Sequence, residues 1–239
     1  MLLVFGARSN IGVSLLARAK GSGEPFLSFG RTNSGEGWVH GDLFNPSEII
    51  SHLKLKANKK ISRIIFCHRY RPLHGQLYSA ENEFSLTISG PLAVSRSAFD
   101  ILPDLRNIVY ISSPASQYVS DEQPIGYHFA RAALESMVRC LAVEFSGRNI
   151  AVNALRIGYI KPSCKKKSRS TNFYSCDSVA VPRGFAPGPD EVAHAIDQIS
   201  KLESSIITGQ TISLDAGLSL RSHATLTERA VNYFAADQN

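Results

Sequence analysis

Leu2-Leu3-Val4-Phe5-Gly6-Ala7-Arg8-Ser9-Asn10-Ile11-Gly12, running on into Val13-Ser14-Leu15-Leu16-Ala17-Arg18-Ala19, is the stretch that decides the class of fold. Leu2 to Phe5 make a short apolar run that reads as a buried strand. Gly6 breaks the run at once, and the segment from Val13 to Ala19 reads as a helix. Strand, glycine turn and helix in that order aim backbone N–H groups and the positive end of a helix at one point, where a phosphate can sit. Gly6 permits the tight turn, and Gly12 lets a pyrophosphate or a neighbouring strand come close to the backbone. A two-glycine loop taken alone is equally an ordinary structural turn.

At 239 residues the chain fits one α/β domain. Hydrophobic content of 44% and charged content of 19% are globular values, which excludes disorder as the default. A net charge of +6 suits an anionic ligand such as a phosphorylated cofactor, and also any basic cytosolic enzyme. No nucleic-acid motif accompanies the charge, so no nucleic-acid partner is expected. Cys67, Cys140, Cys164 and Cys176 lie far apart without a C-x-x-C pair, so neither a metal site nor a redox pair is expected. The apolar start ends at Gly6 and Arg8, far short of a signal segment or a membrane span. A cytoplasmic protein without membrane association is the natural expectation.

Further strands are expected at residues 25–29, 38–43, 61–66, 108–111 and 149–155, with a closing strand in 207–217. A helix follows the third of these, with Asn45 or Ser47 as its cap and Pro46 in its first turn. Residues 83–99 carry helical spacing, and Phe84, Ile88, Leu92, Val94 and Ala98 form a stripe expected to face the core. The strand at 108–111 opens into Ser112-Ser113, and a later helix starts near Tyr127 and continues through Val138. Tyr127 and Arg131 are one helical turn apart and project from the same face. A hydroxyl, a phenol and a fixed cation brought together can polarise a carbonyl and hand it a proton.

Several of these segments carry a resemblance to one family. Gly6-Ala7-Arg8-Ser9-Asn10-Ile11-Gly12 resembles the G-x-x-x-G-I-G cofactor loop of the short-chain dehydrogenase/reductase family, with Asn10 at the middle glycine. Asparagine is the least costly replacement if that position needs positive φ. Asp42-Leu43 matches the family's Asp-hydrophobic pair beside the adenine, and Leu86-Thr87-Ile88-Ser89-Gly90-Pro91 resembles its V-N-l-x-G-P segment. Ser113, Tyr127 and Arg131 take the places of the serine, tyrosine and lysine of the Y-x-x-x-K site. Ile207-Thr208-Gly209-Gln210-Thr211-Ile212-Ser213-Leu214-Asp215-Ala216-Gly217 is similar to the closing T-G-Q-x-I-x-V-D-G-G strand, with Ala216 for a glycine. The departures are Asn10, Thr87 for an asparagine, Arg131 for the lysine, Ile157 for a proline, Pro162 for a threonine, and Cys67-His68-Arg69-Tyr70 where the family has N-N-A-G.

The resemblance covers residues 1 to about 217 and implies both a fold and a chemistry. The fold is α/β, a single doubly wound Rossmann domain whose parallel sheet has about seven strands with helices on both faces. It would occupy residues 1–220, with a substrate lid near 161–188 and a C-terminal helical extension over 221–239. Ser113 would donate to the substrate carbonyl, Tyr127 would protonate it, and Arg131 would supply positive charge without being able to release a proton. Thr87 would stand where an asparagine holds a proton-relay water. Gly6, Arg8, Ser9, Asn10, Ile11 and Gly12 would hold a dinucleotide's phosphates, and Asp42 and Leu43 its adenine. Cys67 and His68 would flank it, and Gly158 and Ile160 would meet the carboxamide, with Tyr127 and Arg131 also touching the cofactor.

Nicotinamide-dinucleotide sites place an acid at the end of the second strand for NAD and an arginine for NADP. This chain has Arg31 there and Arg8 in the glycine loop, so NADP(H) is expected over NAD(H), the alternative being two solvated surface arginines. Lys165-Lys166-Lys167 and Arg169 suggest an acidic substrate or carrier, although a solvated loop is the better explanation of them. The expected activity is NADPH-dependent reduction of a small-molecule or carrier-bound ketone or aldehyde in biosynthesis, by a homodimer or homotetramer. An enoyl reductase is disfavoured because Leu134, and not a lysine, stands seven residues after Tyr127. The departures leave a second reading open, a catalytically impaired member that binds a dinucleotide or a regulatory partner.

Overall fold

The computed structural model describes residues 1–33, 35–72, 75–161, 180–202 and 206–236. β1 (Leu2–Phe5) and β4 (Arg63–Phe66) lie side by side at the middle of a seven-stranded parallel sheet. From β1 the sheet runs outward through β2 (Phe26–Gly30) to β3 (Trp38–His40). From β4 it runs the other way through β5 (Asn107–Ser112), β6 (Ala151–Ile157) and β7 (Thr211–Leu214). The strand order therefore reverses between β1 and β4, and a crevice opens beyond their C-terminal ends.

Both faces are covered, which is why the strands read as continuous apolar runs. One face packs on α1 (Asn10–Gly21) and α6 (Pro189–Ser200), through Ile11, Leu15, Val192, Ala193 and Ile196. The other packs on α2 (Pro46–Leu55), α4 (Gly90–Ile101) and α5 (Ile125–Glu144), through Ile49, Leu53, Val94, Ala98, Leu134 and Leu141. On that second face Phe29, Phe5, Phe66 and Tyr110 form a row across four strands, with ring centroids 5.3, 4.6 and 4.8 Å apart. Each ring comes from a registered pair of the ladder, so the row follows from the alternation of side chains along parallel strands.

Three expectations about the elements are corrected. The third strand ends at His40, because the Asp42 carboxylate accepts from the Phe44 N–H (3.1 Å) and turns the chain. The helix at 83–99 is composite: α3 (Ala80–Phe84) passes through a π-turn (Ser85–Ser89) into α4. A π-turn adds a residue and shifts the helical phase, so Phe84 leaves the stripe and stands 46% exposed. The tail helix, α7 (His223–Ala236), begins before the Leu226 at which a helix is plausible from sequence. Among the described residues no helix is long and apolar enough to cross a membrane.

Candidate active site

Two cavities of about 700 and 840 Å³ lie over the C-terminal strand ends and share Ser9, Asn10, His68, Arg69 and Arg71, so they form one cleft. The first is lined by the Gly6–Asn10 turn together with Gly30, Arg31, Thr32, Asp42 and Leu43. The second is lined by Ile11, Cys67, Ser113, Tyr127, Arg131, Gly158 and Ile160. The tertiary structure thus gathers the expected residues on one crevice, apart from Gly12 and Thr87.

Gly12 acts beneath the cleft. A Cβ there would stand 2.3 Å from the Gly6 carbonyl oxygen, and one on Gly6, at φ +89°, would stand 2.4 Å from the His68 nitrogen. The two glycines therefore let turn, helix and β4 loop close on each other. Ser9 caps α1, its Oγ accepting from the Gly12 N–H (3.0 Å). Asn10 is the first residue of α1 and is not among the residues with positive φ, so its tolerance of that region is not used. At the far end Arg8 donates to Thr32 Oγ1 (2.7 Å), tying the turn to the end of β2. Half-exposed Arg31 lies 3.9 Å from the Asp42 carboxylate, a loose pairing that leaves its donors largely available.

Near Tyr127 the charges are arranged more tightly. The Arg131 and Arg69 guanidinium carbons lie 4.7 and 5.0 Å from the Tyr127 ring centroid. Arg131 is buried, donates to the Ile111 carbonyl (3.0 Å), and has Glu83 Oε1 at 3.7 Å. Glu83 is buried too and accepts from Thr87 Oγ1 (3.0 Å). Thr87 is thus turned onto Glu83 inside the π-turn and does not line the cleft. In the sequence Glu83 shows itself as a partner only through its spacing of one helical turn from Thr87.

Ser113 opens the short turn Pro114–Ser116, its Oγ accepting from the Ala115 N–H (3.3 Å) and keeping its own hydrogen to donate. Behind it, Glu135 of α5 accepts from Ser112 (2.7 Å), Ser116 (2.6 Å) and Arg156 (2.7 Å). Burial pushes the Glu135 carboxyl up, but the hydrogen bonds from Arg156, Ser116 and Ser112 outweigh it and hold the group below the usual carboxylate range. This network ties the Ser113 loop to the helix that bears Tyr127. Its members lie on β5, the Pro114–Ser116 turn, β6 and α5, so no local pattern marks it.

Cys67 and His68 occupy the loop after β4. Burial pushes the Cys67 thiol up to about 12, and it donates to the Phe5 carbonyl (3.1 Å). Burial, with the Arg131 charge, lowers His68 to about 3. The ring is therefore neutral at neutral pH, Nε2–H donates to the Leu86 carbonyl (2.9 Å), and Nδ1 is left as an acceptor. His68 Nδ1 and Arg131 Nε are buried and have no hydrogen-bond partner among the described residues. An orphaned acceptor and an orphaned donor beside a cleft, with an exposed helix start and a backbone cradle that a Cβ would fill, fit a bound dinucleotide. The expected lid falls mostly within residues 162–179, outside the described residues.

Comparison with known proteins agrees with this fold. A family model described as enoyl-(acyl carrier protein) reductase matches residues 72–219. The 3-oxoacyl-[acyl-carrier-protein] reductase FabG of Thermotoga maritima is 33% identical over 140 residues, 56% of this chain and 54% of that protein. Glucose 1-dehydrogenase of Gluconobacter oxydans is 30% identical over 117 residues, 48% of this chain and 44% of that protein. The chain therefore spans about half the length of these relatives in each alignment. A short-chain dehydrogenase from Leptospira borgpetersenii, solved with bound NAD+, superposes with a TM-score of 0.77 at 18% identity, over 91% of this chain and 92% of that one, and so shares the fold. A strand reversal with a glycine turn at its mouth, a Tyr-x-x-x-Arg helix beside it and a family match over more than half of the residues have one reading: the chain belongs to the short-chain dehydrogenase/reductase family.

Proposed function

We propose that the protein is an NADP(H)-dependent reductase of ketones or aldehydes, with Tyr127 as the acid that protonates the carbonyl oxygen. The observation that carries this reading is the continuity of the cleft from Arg31 and the glycine turn to Ser113 and Tyr127. A bound dinucleotide would supply the hydride. Ser113 and Tyr127 would both donate to the substrate oxygen as negative charge develops on it, and Tyr127 would complete the transfer of its proton. Arg131, 4.7 Å from the phenol ring centroid, stabilises negative charge there but has no proton to give, so Tyr127 regains its proton by way of the cleft. Thr87 serves this centre through Glu83.

The preference for NADP(H) over NAD(H) rests on Arg31 and Arg8 at a strand end that offers no acid of its own. The domain would span 1–220 with α7 as an extension, and β7, at the open edge of the sheet, would together with α6 form the interface of a homodimer or homotetramer. A cytoplasmic setting accords with the widely spaced cysteines. A second reading, a protein that binds a dinucleotide without turnover, is favoured by one observation: Arg131 is already engaged by Glu83 and the Ile111 carbonyl.

Fluorescence titration with NADPH and NADH, followed by a carbonyl panel with wild type and Tyr127→Phe, separates the two. The expected result is tighter NADPH binding, lost in Arg31→Ala, and turnover that falls by about a hundredfold or more in Tyr127→Phe. Binding without Tyr127-dependent turnover establishes the second reading, and a preference for NADH unaffected by Arg31→Ala overturns the cofactor assignment.

A further inference from the structure

The loop after β4 carries two arginines, Arg69 and Arg71, that line both halves of the cleft. Arg69 is held in place by donating to the Gln123 side-chain carbonyl (2.6 Å), and its guanidinium lies 5.0 Å from the Tyr127 ring centroid. The partner is an amide, so the geometry is fixed while the charge stays uncompensated. A guanidinium offers five N–H donors, and Gln123 uses one. Arg71 has no hydrogen-bond or ion-pair partner among the described residues. Among the described residues, the Tyr127 half of the cleft is lined by three guanidiniums, Arg69, Arg71 and Arg131, and one carboxylate, Glu122. Arg131 is met from beneath by Glu83, so among the described residues of this half Arg69 and Arg71 are the cations left for a ligand.

Resting on the reading that Tyr127 protonates a carbonyl, we propose that Arg69, assisted by Arg71, forms a carboxylate subsite and that the substrate is a 2- or 3-oxo acid. A guanidinium binds a carboxylate through two parallel N–H donors along one edge. With its guanidinium carbon 5.0 Å from the Tyr127 ring centroid, Arg69 would hold that carboxylate close to the carbonyl that Tyr127 protonates, the arrangement of a 2- or 3-oxo acid. A neutral ketone would leave both exposed arginines with water alone, whereas a carboxylate gives them a counter-ion and parallel acceptors.

The test pairs each acid with its neutral ester: acetoacetate with methyl acetoacetate, and pyruvate with methyl pyruvate, on wild type, Arg69→Gln and Arg71→Gln with NADPH. For at least one pair kcat/KM is expected to favour the acid by roughly tenfold to a hundredfold in wild type. In Arg69→Gln that preference is expected to vanish through a raised KM while NADPH affinity holds. Arg69 is exposed, so thermal midpoints should stay close to wild type. In parallel, oxamate, which has no reducible ketone, is titrated calorimetrically into the NADPH complex, and its binding is expected to be lost in Arg69→Gln. Oxamate binding that depends on Arg69 upholds the subsite even without turnover, in which case the reductase reading alone falls. Esters reduced as well as acids with no oxamate binding, or an Arg69→Gln that weakens NADPH instead of the acid, overturns it; the latter outcome assigns the arginines to the cofactor's pyrophosphate.

Discussion

Ala216 sits at φ 54°, in the left-handed region, at the place where the family's closing motif has a glycine. A Cβ in that conformation costs about 1–2 kcal/mol. Glycine would relieve the strain but adds conformational freedom to the unfolded chain worth about 0.4–1 kcal/mol. Ala216→Gly is therefore expected to stabilise the protein by about 0.5–1 kcal/mol, read as a higher urea midpoint; an unchanged or lower midpoint would contradict the strain. A similar logic of compensation applies at Arg131. Its guanidinium is wider than an ammonium and needs more partners, and Glu83 with the Ile111 carbonyl provides them. Glu83 in turn engages Thr87, so the changes at residues 87 and 131 meet on a single carboxylate.

At the scale of elements, α5 does more than present Tyr127. Glu135, two turns further along, gathers Ser112 from the end of β5, Ser116 from the turn that follows and Arg156 from β6 onto one buried carboxylate. The loop that carries Ser113 is thereby fastened at both ends to the helix that carries Tyr127. Glu135→Ala would leave Arg156, whose side chain is only 11% exposed, without its counter-ion, so a loss of about 3 kcal/mol is expected in chemical denaturation. Glu135→Leu combined with Arg156→Met should recover much of it, since replacing both partners by apolar groups of similar volume removes the unpaired charge. A loss under about 1 kcal/mol in Glu135→Ala would show that the network contributes little.

Over the whole molecule, stability is expected to fall on acidification in two stages. His68 is lowered to about 3 by burial and by Arg131. The unfolded chain takes up a proton at this residue below about pH 6.5, whereas the folded chain does not until about 3, so stability drops as pH falls through that window. Glu135 and Asp197 are held below the usual carboxylate range. Burial opposes this in both, and hydrogen bonds from Arg156 and the two serines, or from Lys201 and Arg63, outweigh it. Their contribution is complete above the ordinary carboxylate range and is lost as pH falls beneath it. Urea midpoints measured from pH 8 to pH 4 should therefore decline first below about pH 6.5. His68→Gln, whose amide can still donate toward Leu86, should flatten that upper part and leave the lower part in place. An unchanged profile in this variant would mean that His68 is free to protonate in the folded protein.

The sequence by itself determined the order of strands and helices, the glycine turn and the spacing of Ser113, Tyr127 and Arg131. These depend on local sterics and on side-chain periods of two and 3.6, which a linear text carries. Only the tertiary structure decided that Glu83 lies under Arg131, that Arg69 covers the Tyr127 ring, and that Glu135 joins three elements. It also turned Thr87 away from the cleft and Phe84 out of the core, because a single π-turn reset the phase of the helix between them and α4. Partners brought together from distant elements leave no periodic trace. Which face a side chain takes after such an inserted residue is settled by the packing around it, not by the spacing along the chain.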